Sequence, residues 1–383
     1  MSKVANFKEE FSSKIPAMML LSKFGYEFIS PNECEQLRGN KVASEGKTTS
    51  QVILLPVMRK FLANQTYMFV GKPQKLTEAA IDKIIHQLSP AMNEGLKSAN
   101  EKLYEAMLYG VGVTEFIDGK KTSPTIQLID WQNLDSNYFH FTEEMTVQNT
   151  EGTGNRRPDI VCFVNGLPLV VIEAKRPDSK YEGKSTCSEA ISQHIRNQGQ
   201  QEVPHLYAYS QLLLSINGHE GLYGTCGTPE KFWAKWKEEE IIEAEFVRLK
   251  NNELEKSKYD KLFAHRNPAE KDEYLTLLAS GELTVTDQDR LVISLLKPDR
   301  LLEMVRLFTL FDKKVGKIVA RYQQVFGIKA LIERISNYDE TGAREGGGNL
   351  AYHRQWQVIH YGVFVKSTNL VTRFSQMPSD YCY

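Results

Sequence analysis

Residues 156–177 read RRPDIVCFVNGLPLVVIEAKRP, and this stretch decides the fold. The apolar run Leu169 to Ile172 ends in Glu173 and Lys175, residue types depleted from strands. Charge placed where burial is expected needs a reason. Asp159 begins one strand, Asn165-Gly166 is a strong turn signal, and Pro168 begins the next strand, so the segment reads as a β-hairpin. Two registers are open. A three-residue loop, Asn165 to Leu167, pairs Val164 with Pro168 and sets Asp159 opposite Glu173. A two-residue Asn-Gly loop sets Ile172 opposite Asp159 and turns the carboxylates to opposite faces. In the first register Asp159, Glu173 and Lys175 share a face, because residues two apart on a strand point the same way.

Two carboxylates held together, with the adjacent Ala174 carbonyl, suit Mg²⁺, which keeps most of its waters and binds through one or two carboxylates plus substrate phosphate. Such an ion lowers the pKa of a bound water and stabilises charge on a phosphorane-like transition state. Lys175 would orient that water or neutralise the same charge. This is the chemistry of phosphodiester hydrolysis. A buried Asp–Lys or Glu–Lys ion pair bracing a sheet would produce the same pattern without catalysis.

Outward from the hairpin, residues 7–24 have helical spacing despite Pro16, with Gly25 as a stop. Residues 78–109 repeat that pattern around a proline, which predicts two helices or one kinked helix. TIQLIDW and NYFHFTEEMTVQ alternate and read as strands. After the hairpin, SEAISQHIRNQ puts Ile191 and Ile195 on one helical face and Gln193 and Asn197 on a neighbouring one. HLYAYSQLLLSING and GLYGTCG read as further strands or a helix–strand pair. The charge-dense text from 229 to about 262 reads as solvated helix faces with a domain boundary near 250–260, and 298–335 reads as strongly helical.

The chain has 383 residues, 41% hydrophobic and 25% charged, which allows two or three globular domains and excludes wholesale disorder or a membrane bundle. Its 47 basic and 48 acidic residues exclude a grip on nucleic acid by global charge, so any such contact is a local patch or a partner's. The five cysteines lack C-x-x-C spacing, no apolar run approaches a membrane span, and the start has no apolar signal region. A cytoplasmic protein is expected.

The residues resemble a known family. RRPDIVCFVNGLPLVVIEAKRP looks like the PD-(D/E)xK nuclease core of the restriction (R) subunit of type I restriction–modification enzymes. LIDWQNLDSNYFHFTEEMTV before it is similar to that family in order and spacing, as are ISQHIRNQ, YSQLLLSINGHEGLYGTCGTPEKFWAKW, PDRLLEMVRLFTLFD and KIVARYQQVFGIKALIERI after it. The resemblance covers roughly residues 7–348. It implies an α/β fold: a restriction-endonuclease-like core with a mixed central sheet flanked by helices at 1–255, then the start of a RecA-like helicase motor at 256–348.

The implied activity is Mg²⁺-dependent cleavage of double-stranded DNA, coupled to ATP-driven translocation and dependent on a methyltransferase core of modification (M) and specificity (S) subunits. Asp159 and Glu173 match the metal-binding carboxylates and Lys175 the catalytic lysine, while Gln193 matches the glutamine of a Q-x-x-x-Y element whose tyrosine position is Asn197 here. Glu9 or Glu10 would complete the site from the first helix, and Gln324 matches a glutamine that can read adenine. The alternative is a catalytically silent subunit that only binds the methyltransferase core or DNA.

The family's phosphate-binding P-loop is expected just after Gly346-Gly347-Gly348, and it is absent. Codons for Leu350 to Leu370 can be written so that the frame one nucleotide later reads T-T-G-S-G-K-S followed by apolar residues. Trp356 followed by a glutamine codon yields only glycine in that frame. Residues 349–383 are therefore expected to be out-of-frame sequence, with His353, His360 and Cys382 carrying no metal chemistry.

Overall fold

The computed structural model describes residues 10–39, 50–177, 180–181, 184–279, 281 and 283–336. Glu9 and the segment 349–383 lie outside these residues. Six strands form the central sheet: β1 (Glu27–Ile29), β2 (Phe139–Glu143), β3 (Ile160–Val164), β4 (Leu167–Ala174), β5 (Leu212–Ile216) and β6 (Gly221–Gly224), adjacent in that order. The β1–β2 and β4–β5 pairs are parallel and the other three antiparallel, so the sheet is mixed as expected. β3 and β4 are buried along their whole length, which explains their continuous apolar text.

The β3–β4 hairpin combines features of both registers. Val164 pairs with Leu167, so the loop is the two-residue Asn165-Gly166 turn, with φ of 50° and 86°. The three-residue loop, with Val164 facing Pro168, does not form. A β-bulge then intervenes: Phe163 pairs with Pro168 but Cys162 with Val170, which leaves Leu169 as the extra residue. Past the bulge Ile160 pairs with Ile172, and the open end has the register in which Asp159 falls opposite Glu173. The turn is held from outside. The Asn165 side chain donates to Leu128 O and Asn137 Oδ1, and a Cβ on Gly166 would stand 2.6 Å from Leu54 O.

Five helices bear on the site and its support: α1 (Ile15–Lys23), α2 (Gly95–Tyr109), α3 (Thr186–Asn197), α4 (Asp287–Leu296) and α5 (Pro298–Leu307). α3 packs on β4 and β5, and α4 packs on α1 and β6. Pro16 sits in the first turn of α1, where its missing N–H costs nothing, and a π-helical turn, Glu10–Lys14, precedes it. Residues 78–109 form two helices, Glu78–Gln87 and α2, separated by Pro90. Tyr26 donates to Leu296 O at 2.9 Å, and Leu291, Val292, Leu295, Leu301 and Val305 belong to the same buried cluster as the sheet. The core thus continues past residue 255.

Four readings change. Of TIQLIDW only Thr125–Ile126 is strand. Residues 233–242 are not a solvated helix face, because Trp233 and Trp236 turn inward, Trp233 stacking on His194 at 5.3 Å. The stretch 298–335 is interrupted by an antiparallel hairpin, Thr309–Asp312 with Gly316–Val319. Its turn is built by Asp312 Oδ1 accepting from the N–H groups of Lys314 and Val315 at 2.8 Å each. In α3 Ile191 is buried but Ile195 is 44% exposed, and the inward face carries His194 and Asn197 instead.

Candidate active site

The bulged register brings Asp159 and Glu173 together at the open end of the hairpin. Asp159 Oδ2 accepts from the Ala174 N–H at 2.8 Å, and Asp159 O accepts from the Glu144 N–H at 3.0 Å. Glu173 is only 2% exposed. Burial pushes its carboxyl well above the usual range, and the charge of Asp159 pushes it the same way, while Lys175 and Arg196 pull it down. Lys175 follows just past the end of β4, its N–H donating to Ile216 O at 2.9 Å. Asp159, Glu173 and Lys175 are therefore gathered as the first register requires.

α3 supplies the next layer. Gln193 presents a buried Oε1 with no hydrogen-bond partner among the described residues. Asn197 is buried, and its Oδ1 accepts from both Nε and Nη2 of Arg196 at 3.3 Å. Tyr207 comes from the helix Pro204–Tyr207. His194 bonds Tyr207 Oη through Nδ1 at 3.2 Å and Leu214 O through Nε2 at 3.0 Å. Since a carbonyl only accepts, Nε2 carries the proton and the tyrosine hydroxyl donates to Nδ1. Burial lowers the imidazole to about 4 and, followed by the charge of Glu173, raises the phenol. Sequence reading missed His194, Arg196 and Tyr207; polar residues on the helix face opposite the exposed Ile195 were the available signal.

Glu10 is held elsewhere. It pairs with Arg266 and, at 3.5 Å, with Lys14. These belong to a buried ionic cluster at the end of β2. The Lys14 ammonium lies 2.8 Å from both Glu143 and Glu144, and Glu143 also meets Arg266 and, at 2.8 Å, His265. Burial pushes Glu143 up, but the bond from His265 and the charges of Lys14 and Arg266 outweigh it and hold the carboxyl at about 2. Burial would likewise depress Lys14, yet Glu143 and Glu10 keep it above its ordinary value. Gln324 is buried, its Oε1 accepting from the Arg321 N–H at 2.7 Å to cap the helix Tyr322–Ser336.

Two neighbouring carboxylates, one of them buried, repel each other unless a proton or cation lies with them. The carboxylates and the adjacent Ala174 carbonyl offer hard oxygens only. Among the described residues no group of three or more His, Cys, Asp or Glu gathers as a metal cage, and no helix is long and apolar enough to cross a membrane.

Residues 6–232 match the model of the family described as type I restriction enzyme R protein N terminus. A protein of Methanocaldococcus jannaschii assigned as the type I restriction enzyme MjaIXP endonuclease subunit is 28% identical over 264 residues, which is 68% of this chain and 22% of the relative. The type I restriction enzyme HindI endonuclease subunit of Haemophilus influenzae is 26% identical over 286 residues, 73% of this chain and 23% of the relative. The chain thus spans less than a quarter of the length of these relatives. With more than half of its residues matched by the family model, the chain belongs to the type I restriction enzyme R protein N-terminal family.

Proposed function

We propose that this chain carries a Mg²⁺-dependent DNA endonuclease centre and serves as the nuclease part of the restriction subunit of a cytoplasmic type I restriction–modification system. The observation that carries the reading is the register that sets Asp159 opposite Glu173, with the Asp159 carboxylate accepting from the Ala174 N–H at 2.8 Å and Lys175 next along the chain. The endonuclease-subunit names of the relatives support it. So does the PD-(D/E)xK pattern, which falls at the open end of a buried hairpin, past its bulge.

Asp159, Glu173 and the Ala174 carbonyl would hold the ion. Mg²⁺ bound there supplies an activated water and charge for the transition state. The enclosing strands exclude bulk solvent from Glu173, which strengthens every charge interaction at that carboxylate. Lys175 orients the attacking water or offsets the charge that develops on the phosphoryl oxygens. Gln193, whose buried Oε1 has no partner among the described residues, would add a further oxygen to the site. Double-stranded DNA is the substrate, and target choice belongs to the M and S subunits. ATP belongs to a motor whose leading segment begins near residue 256, packed against the nuclease domain.

The test is cleavage of plasmid DNA by the chain with Mg²⁺, with and without the methyltransferase core and ATP. Asp159→Ala, Glu173→Ala and Lys175→Ala are each expected to remove cleavage while circular dichroism stays that of the parent. Loss of folded structure in all three would favour an ion pair that braces the sheet. Intact binding to the methyltransferase core with no cleavage by the parent would identify a silent subunit.

A further inference from the structure

Arg196 stands at the end of α3, on the turn that also carries Gln193 and Asn197. Its side chain is exposed to solvent, yet it is not free to sweep. Nε and Nη2 both donate to Asn197 Oδ1, and Asn197 is itself buried, its backbone carbonyl accepting from the Val203 N–H at 3.1 Å. A solvent-exposed arginine held by two of its nitrogens on a buried amide is an anchored guanidinium. Its Nη1 has no hydrogen-bond partner among the described residues.

The position of that group matters. α3 packs on β4 and β5, the strands that carry Glu173 and its parallel partner Ser215. The charge of Arg196 acts on both Glu173 and Tyr207. The turn after Arg196 is also tied to the approach to Asp159: the Val203 N–H donates to Asn197 O at 3.1 Å, and Glu202 accepts from Arg156, three residues before Asp159, at 2.7 Å. A carboxylate pair that draws a divalent ion accounts for one side of a phosphodiester. The non-bridging oxygens on the other side need donors, and a guanidinium presents them in a planar fork suited to phosphate.

We propose that Arg196 is a phosphate-binding residue of this centre, its guanidinium held by Asn197 so that Nη1 meets a non-bridging oxygen of the DNA strand beside Asp159 and Glu173. The inference rests on the endonuclease reading above. Asn197 then acts as a positioning residue for Arg196, which explains why a buried amide stands behind an exposed side chain.

The test measures binding of the full chain to a short fluorescein-labelled DNA duplex by anisotropy in CaCl₂, across a salt series, beside Ca²⁺ binding by calorimetry. Arg196→Ala is expected to weaken duplex binding about fivefold and to reduce the slope of log K against log salt by about 0.9, the release expected for one phosphate contact. Ca²⁺ binding should stay at the parent level. Arg196→Lys is expected to keep the slope but not the full affinity, because an ammonium retains the charge without the fork. Parent-like affinity and slope in Arg196→Ala overturn the inference and leave the endonuclease reading standing. Parent-like Ca²⁺ binding in Asp159→Asn overturns the endonuclease reading instead. Failure of the parent chain to bind the duplex overturns both.

Discussion

Glu143→Gln tests whether the ionic cluster at the end of β2 holds the fold. Glu143 falls from its ordinary 4.5 to about 2. At about 1.4 kcal/mol per unit, that depression corresponds to about 3 kcal/mol of stability at neutral pH. Both Glu143 and its partner Lys14 have side chains only 3% exposed, so solvent screening takes little from the figure. The sign follows from proton uptake. Because the folded carboxyl is the stronger acid, the unfolded chain binds the proton first on acidification. The contribution is complete above pH 4.5 and is lost as pH falls toward 2. At about pH 3 it should have shrunk to about 1 kcal/mol.

The assay is urea unfolding of parent and Glu143→Gln at pH 7 and near pH 3, comparing the difference between the two proteins. Other acid-sensitive groups cancel in that difference. His194, neutral in the fold and lowered to about 4, destabilises both proteins alike as pH drops below its unfolded value of 6.5. A gap of about 3 kcal/mol at pH 7 that closes to about 1 kcal/mol supports the reasoning. Equal stability at pH 7, or a gap that does not narrow, refutes it.

Gly166→Ala should cost about 1–3 kcal/mol in urea unfolding, since φ is 86° and the new Cβ would meet Leu54 O at 2.6 Å. Tyr207→Phe leaves the buried His194 Nδ1 without its donor and should cost about 1–3 kcal/mol by the same measurement. A chain ending at residue 255 loses α4 and α5, with at least five fully buried aliphatic side chains at about 1.5–3 kcal/mol each. That matches the whole stability of a typical domain, about 5–15 kcal/mol, so the shortened chain should show no cooperative thermal transition. A sharp transition would mean that the sheet is stable without them.

The hairpin was legible because its signals are local. Asn165-Gly166 names the turn, and the apolar run before Glu173 announces a buried strand interrupted by charge. The bulge was not legible: Leu169 looks like any other member of its run, and only the pairing of Cys162 with Val170 marks it as extra. Charge density misled at 233–242, where two tryptophans outweigh their charged neighbours by packing inward. The hairpin at Thr309–Val319 was hidden between two segments of true helical period. The ionic cluster was beyond any reading of periodicity, since Lys14 and Glu144 lie 130 positions apart and Glu10 and Arg266 lie 256 apart.

The single extra residue at Leu169 has a consequence for how such a chain can vary. A strand presents its side chains by odd and even count, so what matters between the turn and Glu173 is parity rather than length. The Asn165-Gly166 turn alone fixes the wrong parity, and the bulge corrects it before the count reaches the carboxylates. Hairpins of this design can be lengthened or shortened by two residues with the carboxylates still opposed. A change of one residue would swap Glu173 for a neighbour with no acid to offer, Ile172 or Ala174, unless a second bulge restored the count.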